Sequence, residues 1–126
     1  MARAIMFNIA AVLLVFVSGC ALCGILHVSV GYKEVWVAAI IAGISAEISL
    51  VPLFLARKGD QAAVSQASLI ATVLHLLLCA GAGLAASSAM HASHAFLYWL
   101  CAFYWATIAA VATIAVRAVK AAPVPR

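Results

Sequence analysis

The sequence predicts an all-α membrane protein in which four transmembrane helices form an up-down-up-down bundle with both termini in the cytoplasm. The first reason is composition: of 126 residues, 69% are hydrophobic and 8% are charged, and the mean hydropathy is +1.25. Soluble domains are about half apolar and about a quarter charged. The whole chain is therefore expected to be a single transmembrane domain whose main surroundings are the lipid bilayer.

The second reason is the length and spacing of the apolar runs, which cover residues 5–28, 35–56, 64–87 and 95–116. About 20 apolar residues, at 1.5 Å of rise each, cross the roughly 30 Å hydrocarbon layer of a membrane. Turn-forming residues separate the runs: Gly31-Tyr32-Lys33-Glu34, Arg57-Lys58-Gly59-Asp60 and His91-Ala92-Ser93-His94. Connections this short make consecutive helices antiparallel neighbours.

The first run also has the character of a bacterial lipoprotein signal, since Val17 and Ser18 lead into Gly19-Cys20. Signal peptides end their apolar core at such a site. Here the apolar residues continue beyond Cys20, so we expect a retained transmembrane helix.

The third reason is the distribution of charge, which amounts to seven basic against three acidic residues and a net charge of +4. The basic residues flank apolar runs and form no patch with interleaved aromatics, so we expect no nucleic-acid partner. Lys and Arg accumulate on the cytoplasmic side of membranes. With both termini inside, only Lys33 lies outside, and the remaining basic residues lie inside: Arg3, Arg57, Lys58, Arg117, Lys120 and Arg126. This predicts a multi-pass protein of the bacterial inner (cytoplasmic) membrane with residues 117–126 as a short cytoplasmic tail.

One carboxylate, Glu47, lies in the middle of the second apolar run. A charge at that depth costs several kcal/mol, so it needs a proton, a partner or a role. Pro52 cannot donate a hydrogen bond to the carbonyl of Ile48 and loosens the adjacent turn. Counting residues inward puts His75 of the third run at the depth of Glu47. We therefore predict an intramembrane polar site of Glu47, His75 and Pro52. Either Glu47 and His75 are in contact, or a protonated Glu47 bonds to Ile48 or Ser45 while His75 makes a packing contact.

Small and polar residues recur at three- and four-residue spacings in the third run and therefore share one helix face. Such stripes mark helix–helix contacts in lipid. The stripe on the third helix contains Ser68, Ala71, Thr72, His75, Cys79 and Gly83. On the second helix, Ala39 and Gly43 precede Glu47 at one-turn intervals. We predict that Ala39, Gly43 and Gly83 are helix-packing positions.

A second candidate site involves thiols, since Cys20, Cys23 and His27 share one face of the first helix and Cys79 lies at a similar depth. Thiolates with this spacing bind soft metal ions or exchange disulfides. The alternative is that these cysteines are small packing residues of low reactivity. A metal site of Cys20, Cys23, His27 and Cys79 therefore remains open.

Neither a catalytic residue nor a cofactor is expected. The sequence has no phosphate-binding loop, nucleophile elbow or zinc-protease helix. His27 and His75 differ in depth by about ten residues, roughly 15 Å, which is more than one haem iron bridges. The pair His91 and His94 supplies only two metal ligands.

The second run and its flanks resemble a known family in the order of an outer aromatic, a small-residue motif, a helix break and a basic exit. The residues concerned are Trp36, Ala42-Gly43-x-x-Ala46, Pro52, Phe54 and Arg57-Lys58. This pattern, with a second hairpin of similar length, resembles the small i protein of bacterial ATP synthase operons. The resemblance implies a non-catalytic assembly factor that associates with the rotor ring. The motif Gly19-Cys20-x-x-Cys23 is similar to that of four-span mercuric-ion carriers, which implies a metal relay.

The expected function is thus that of an accessory or assembly subunit of a larger bioenergetic membrane complex, with other integral membrane subunits as partners. The competing expectation is a small membrane carrier or redox protein that uses Cys20, Cys23, Cys79 and His75 for a soft metal ion.

Overall fold

The computed structural model describes residues 2–25 and 31–123, with side chains from residue 5 onward. Four helical segments are long and apolar enough to cross a membrane, which confirms the predicted helical bundle. The helices are α1 (Ala2–Ile25), α2 (Tyr32–Ser49), α3 (Val51–Leu55) with a 3₁₀ turn (Ala56–Lys58), α4 (Gln61–Met90) and α5 (His94–Ala121).

The helices extend beyond the apolar runs that predict them, because polar residues cap their ends. The Asp60 carboxylate accepts a hydrogen bond from the Ala63 N–H at 2.8 Å, so α4 begins at Gln61. Such a cap satisfies one of the free N–H groups in a first helical turn. At the other end of the chain, α5 continues to Ala121, so the first part of the predicted tail 117–126 is helical. Residues 26–28 of the first predicted span lie outside the described residues.

The second span is interrupted at Leu50, between α2 and α3. The Leu50 N–H bonds to the carbonyls of Ala46 and Glu47, each at 3.3 Å. Pro52 is at the start of α3, where its missing N–H and its ring prevent the regular bond to Ile48. The interruption follows directly from this proline.

Contacts at both ends of the bundle define its antiparallel order. At one end, the Glu34 carboxylate at the start of α2 accepts hydrogen bonds from the backbone N–H (3.0 Å) and hydroxyl (2.6 Å) of Ser93, just before α5. At the other end, the Gln61 N–H at the start of α4 donates to the Pro123 carbonyl at 3.2 Å. The starts of α2 and α5 therefore lie at one end of the bundle, and the start of α4 lies at the other end.

The helices α2 and α5 pack against each other across the centre, with α1 on one side of this pair and α4 on the other. The core between them combines small residues of α2 with large residues of α5: Val35, Ala38, Ala39, Ala42, Phe96, Leu100 and Phe103. By contrast, only 6% of the apolar window of α1 is buried, against 44% for α2. The first helix is thus a peripheral element.

Two glycines permit close helix contacts with α5. A side chain at Gly83 of α4 would overlap Leu100, and one at Gly19 of α1 would overlap the Trp99 indole. The rest of the predicted α4 stripe also lies inward, with Ala71, His75 and Cys79 buried. Small residues let helix backbones approach closely in the absence of a hydrophobic driving force between helices.

Candidate functional site: a carboxylate in an open groove between α1 and α2

The strongest candidate site is formed by Glu47 of α2 and Asn8 of α1. The Asn8 Nδ2 donates a hydrogen bond to Glu47 Oε1 at 3.1 Å. The antiparallel packing of the two helices positions this pair, since Val12 lies beside Gly43 and the Phe16 and Trp36 rings are 4.8 Å apart. Asn8 follows the start of α1 at Ala2 by about 9 Å along the helix. The pair therefore lies about midway between that end of α1 and its middle.

The pair lies in a groove of about 460 Å³ that is open to the outside of the bundle. Every residue that lines the groove besides Asn8 and Glu47 is apolar: Ile5, Ile9, Val12, Leu13, Ile40, Gly43, Ile44 and Ile48. The isoleucines recur at four-residue intervals on each helix and thus form two parallel walls. Gly43 has no side chain to fill the space between them, and an added Cβ there would be 4.0 Å from Val12.

Two oxygen atoms at this site make no hydrogen bond. Asn8 is 1% exposed, and its Oδ1 is buried without a partner. Glu47 is half-buried, and its carboxylate has no bond or ion pair with a described residue other than Asn8. The described part of the chain therefore brings a carboxylate into the groove but no positive charge to pair with it.

His75 is part of a different site, in the sealed centre of the bundle. Its imidazole is fully buried, and Nε2 lies 3.0 Å from the Thr107 hydroxyl of α5. The ring also stacks on Tyr104, with centroids 5.2 Å apart. The other ring nitrogen, Nδ1, is buried and has no hydrogen-bond partner, and the helix that carries His75 also packs against α2. His75 thus connects α4 to α5 and lies against α2.

The Thr107 hydroxyl is shared between His75 and its own helix. Its Oγ1 lies 2.9 Å from the Phe103 carbonyl and 3.1 Å from the Tyr104 carbonyl. A hydroxyl has one proton and two lone pairs. With that proton donated to a carbonyl of its own helix, Oγ1 accepts from the Nε2–H of His75.

The structure does not join Glu47 and His75 as a pair, which corrects the predicted contact. Glu47 bonds to Asn8 on the α1 side, whereas His75 bonds to Thr107 on the α5 side. Ser45, the alternative partner of Glu47, precedes it by two positions, and such residues point about 200° apart on a helix. Depth counting gives the level of a residue in the membrane but not the direction of its side chain.

Asn8 is the site residue that sequence reasoning missed. It is the only asparagine of the chain, and it is the only polar residue in the first half of the first apolar run. Polar residues inside membrane helices usually face other helices. That signal was available, but an uncharged amide so near the start of the run is easily read as interfacial.

Pro52 does not contribute a polar group to Glu47. It is half-buried in α3, and the side chain of Glu47 makes no bond to the loosened turn near Ile48. The Glu47 carbonyl, by contrast, accepts the bond from Leu50. The proline therefore shapes the end of α2 without entering the groove.

The cysteines do not converge. All four are free thiols; Cys79 is buried among core residues of α2 and α5, while Cys20 and Cys23 are half-buried on α1. His27 lies outside the described residues. In the part of the chain that the structure describes, no group of three or more His, Cys, Asp or Glu side chains is arranged to hold a metal ion. The predicted mixed site is wrong for Cys79, because α1 and α4 lie on opposite sides of the α2–α5 pair.

Chemically, the groove offers one accessible carboxylate oxygen between apolar walls, and an asparagine whose own oxygen is buried holds the other carboxylate oxygen. Pockets of this kind, with few convergent polar groups, are the usual form of a binding site. Comparisons with protein families, with curated proteins and with solved structures find no match to this chain.

Proposed function

We propose that this chain is a non-catalytic accessory or assembly subunit of a larger bioenergetic membrane complex, and that it docks to its partner through the groove between α1 and α2. The observation that supports the proposal is Glu47, a carboxylate in an open groove without an ion pair among the described residues. A carboxylate exposed to lipid is unfavourable by several kcal/mol. A partner helix seated in the groove removes that exposure.

The small extent of the loops also favours partners within the membrane. The links from α3 to α4 and from α4 to α5 consist of a few residues each. Almost all the accessible surface of the described residues therefore belongs to the transmembrane helices. A subunit of this shape makes most of its contacts inside the bilayer.

The proposed setting is the bacterial inner membrane, with both chain termini in the cytoplasm. The bond between Gln61 and Pro123 brings the 3₁₀ turn, which contains Arg57 and Lys58, to the end of α5. Lys120 lies in the last turn of α5 and is exposed. A basic end of this kind is typical of the cytoplasmic side. If the resemblance to the i protein holds, the complex is an ATP synthase and the chain assists assembly of its rotor ring.

The test is co-purification in a mild detergent followed by native mass spectrometry. We expect the wild-type chain to run as part of a larger membrane complex and Glu47→Gln to dissociate from it. The matched control is Glu34→Gln, which makes the same carboxylate-to-amide change at the end of the bundle and should leave the complex intact. A wild-type chain that runs alone, or a Glu47→Gln variant that stays in the complex, would contradict the proposal.

The carrier alternative is tested by changing Cys20 and Cys23 to Ser together. An accessory subunit retains its complex after this change, because neither thiol lines the groove. A soft-metal carrier loses metal uptake into proteoliposomes.

A further inference from the structure

Glu47 and Asn8 together form an acceptor site that lacks a donor. Asn8 Nδ2 is used by Glu47 Oε1, which leaves Glu47 Oε2 and the buried Asn8 Oδ1 without hydrogen bonds to described residues. A buried polar atom without a partner is costly, and an ionised carboxylate between apolar walls is more so. Oδ1 is closed off from the groove, so the missing component is a positively charged group with an N–H donor for Glu47 Oε2.

We propose that the groove receives a lysine side chain from a transmembrane helix of the partner subunit, and that its ammonium group donates to Oε2, the free oxygen of the Glu47 carboxylate. This inference rests on the proposed docking function and specifies the chemistry of the partner. Charge complementarity supports it, because Glu47 is a carboxylate inside the membrane-spanning part of the chain and no described basic residue pairs with it.

The hydrogen bonds already present favour lysine over arginine. A guanidinium binds a carboxylate best through two parallel bonds, one to each oxygen. Here Oε1 is already engaged by Asn8 at 3.1 Å, so only one carboxylate oxygen is free. An ammonium is a compact charge on a flexible stem, and it can bond to a single free oxygen without the paired geometry that a guanidinium prefers.

The walls of the groove suit the rest of such a ligand. Ile40, Ile44 and Ile48 line one side, and this row spans about 12 Å along α2. Lysine packs its methylene stem along apolar surface while its charged end bonds to polar groups. Gly43 leaves room for a neighbouring helix to approach, since the nearest atom to its missing Cβ is 4.0 Å away on Val12.

A neutral pair is the competing arrangement. If the two amide atoms of Asn8 are exchanged, Oδ1 accepts from a protonated Glu47 and Nδ2 becomes the unpaired atom. Such a pair has no preference for cations. The two arrangements therefore differ in a property that binding measurements can detect.

The first experiment measures binding of amphiphiles with identical twelve-carbon tails to the full chain in lipid nanodiscs, with empty nanodiscs subtracted. The probes are dodecylammonium, dodecylguanidinium, dodecyltrimethylammonium and dodecanol. We expect dodecylammonium to bind most tightly, by about tenfold or more over dodecanol, because charge-assisted hydrogen bonds are about twice as strong as neutral ones. The trimethylammonium probe has the charge but no N–H and should bind more weakly than dodecylammonium.

The variants identify the groups responsible. Glu47→Gln should abolish the preference for dodecylammonium, Glu47→Asp should retain part of it, and Asn8→Leu should reduce it. Glu34→Gln should change nothing. Equal binding of all four probes to the wild-type chain, or an undiminished ammonium preference in Glu47→Gln, would overturn the inference.

The second experiment distinguishes a partner helix from a free amine. Single-span Leu–Ala peptides with Lys or Leu at the central position are reconstituted with the labelled chain, and association is measured by energy transfer. We expect the Lys peptide to associate with the wild-type chain and not with Glu47→Gln. If dodecylammonium binds but the Lys peptide does not, the site takes a free membrane amine and the lysine proposal is wrong. If the ammonium preference is absent but co-purification still depends on Glu47, the lysine proposal fails while the docking function stands.

Discussion

Among the described residues, two side-chain hydrogen bonds connect helices inside the bundle, and they differ in what surrounds them. The contact of His75 with Thr107 is fully buried, and a stacked Tyr104 covers the imidazole ring. The contact of Glu47 with Asn8 borders an open groove and leaves one carboxylate oxygen accessible. Each contact includes one buried atom without a partner, His75 Nδ1 or Asn8 Oδ1, so the difference between them is access. A sealed contact stabilises one packing arrangement, whereas a further group can reach the open one, which makes the second contact the candidate for function.

Removing the sealed histidine should have the largest effect on stability. His75→Ala leaves a cavity between three helices and should lower the free energy of unfolding by about 2 to 4 kcal/mol, as large-to-small core substitutions do. Thermal unfolding in detergent, followed by circular dichroism, measures the change. His94→Ala at the exposed start of α5 is the control and should have little effect. If His75→Ala leaves the free energy of unfolding unchanged, the contact between His75 and Thr107 does not stabilise the bundle.

The glycines on the two sides of the bundle should respond differently to the same substitution. Gly83→Ala overlaps Leu100 and should cost about 1 to 3 kcal/mol through overpacking. Gly43→Ala faces the groove at ordinary contact distance and should be neutral or slightly stabilising, since alanine favours a helix by about 1 kcal/mol over glycine. Unfolding of both variants under identical detergent conditions makes the comparison. If Gly43→Ala lowers the free energy of unfolding as much as Gly83→Ala does, the groove is packed as tightly as the core.

Thr107→Val tests the hydrogen bond of the sealed contact without a change in shape. The substitution leaves His75 Nε2 buried and unpaired, which should cost about 1 to 2 kcal/mol. The matched control is Thr113→Val, because the Thr113 hydroxyl bonds only to the Ala109 carbonyl of its own helix. In detergent, the free energy of unfolding of Thr107→Val should be lower than that of Thr113→Val by most of this cost. No separation would mean that the histidine contributes through packing alone.

Glu47→Gln should have the smallest effect on the isolated chain. The amide oxygen of Gln can still accept from Asn8, so the free energy of unfolding should change by less than about 0.5 kcal/mol. The measurement is again unfolding in detergent, compared with loss of the complex on co-purification. A loss of stability as large as that of His75→Ala would mean that the open contact is structural as well, and the contrast between the two regions would disappear.

The fold follows from the sequence because length and hydrophobicity dominate in a membrane. Runs of 20 or more apolar residues have no alternative to a helix in lipid, since all backbone groups must be bonded internally. The break at Pro52 and the inward stripe of Ala71, His75, Cys79 and Gly83 also depend on local rules. What local rules do not contain is the order of the helices around the bundle. The peripheral position of α1 is a property of the packed structure alone.

Of the two residues of the candidate site, the sequence predicts Glu47 but not its partner, because local rules do not give the order of the helices around the bundle. Glu47 is conspicuous as a carboxylate in an apolar run, and its depth can be counted. Its partner depends on which neighbour its helix face meets, and the angle of that face is not set by depth. Residue counting therefore pairs Glu47 with His75, whereas the structure pairs it with Asn8 of the preceding helix.

The contact between Asn8 and Glu47 also has a consequence for how the chain enters the membrane. α1 is synthesised before α2, so an unpaired asparagine reaches the bilayer ahead of the carboxylate to which it donates. Inserting a helix with a lone central acid costs about 2.5 to 3.5 kcal/mol at the translocon. Insertion of α1 and α2 together as a hairpin lets the amide meet the acid before either is exposed to lipid. The helix with the least buried apolar window therefore carries the amide that lowers the cost of inserting the acidic helix after it.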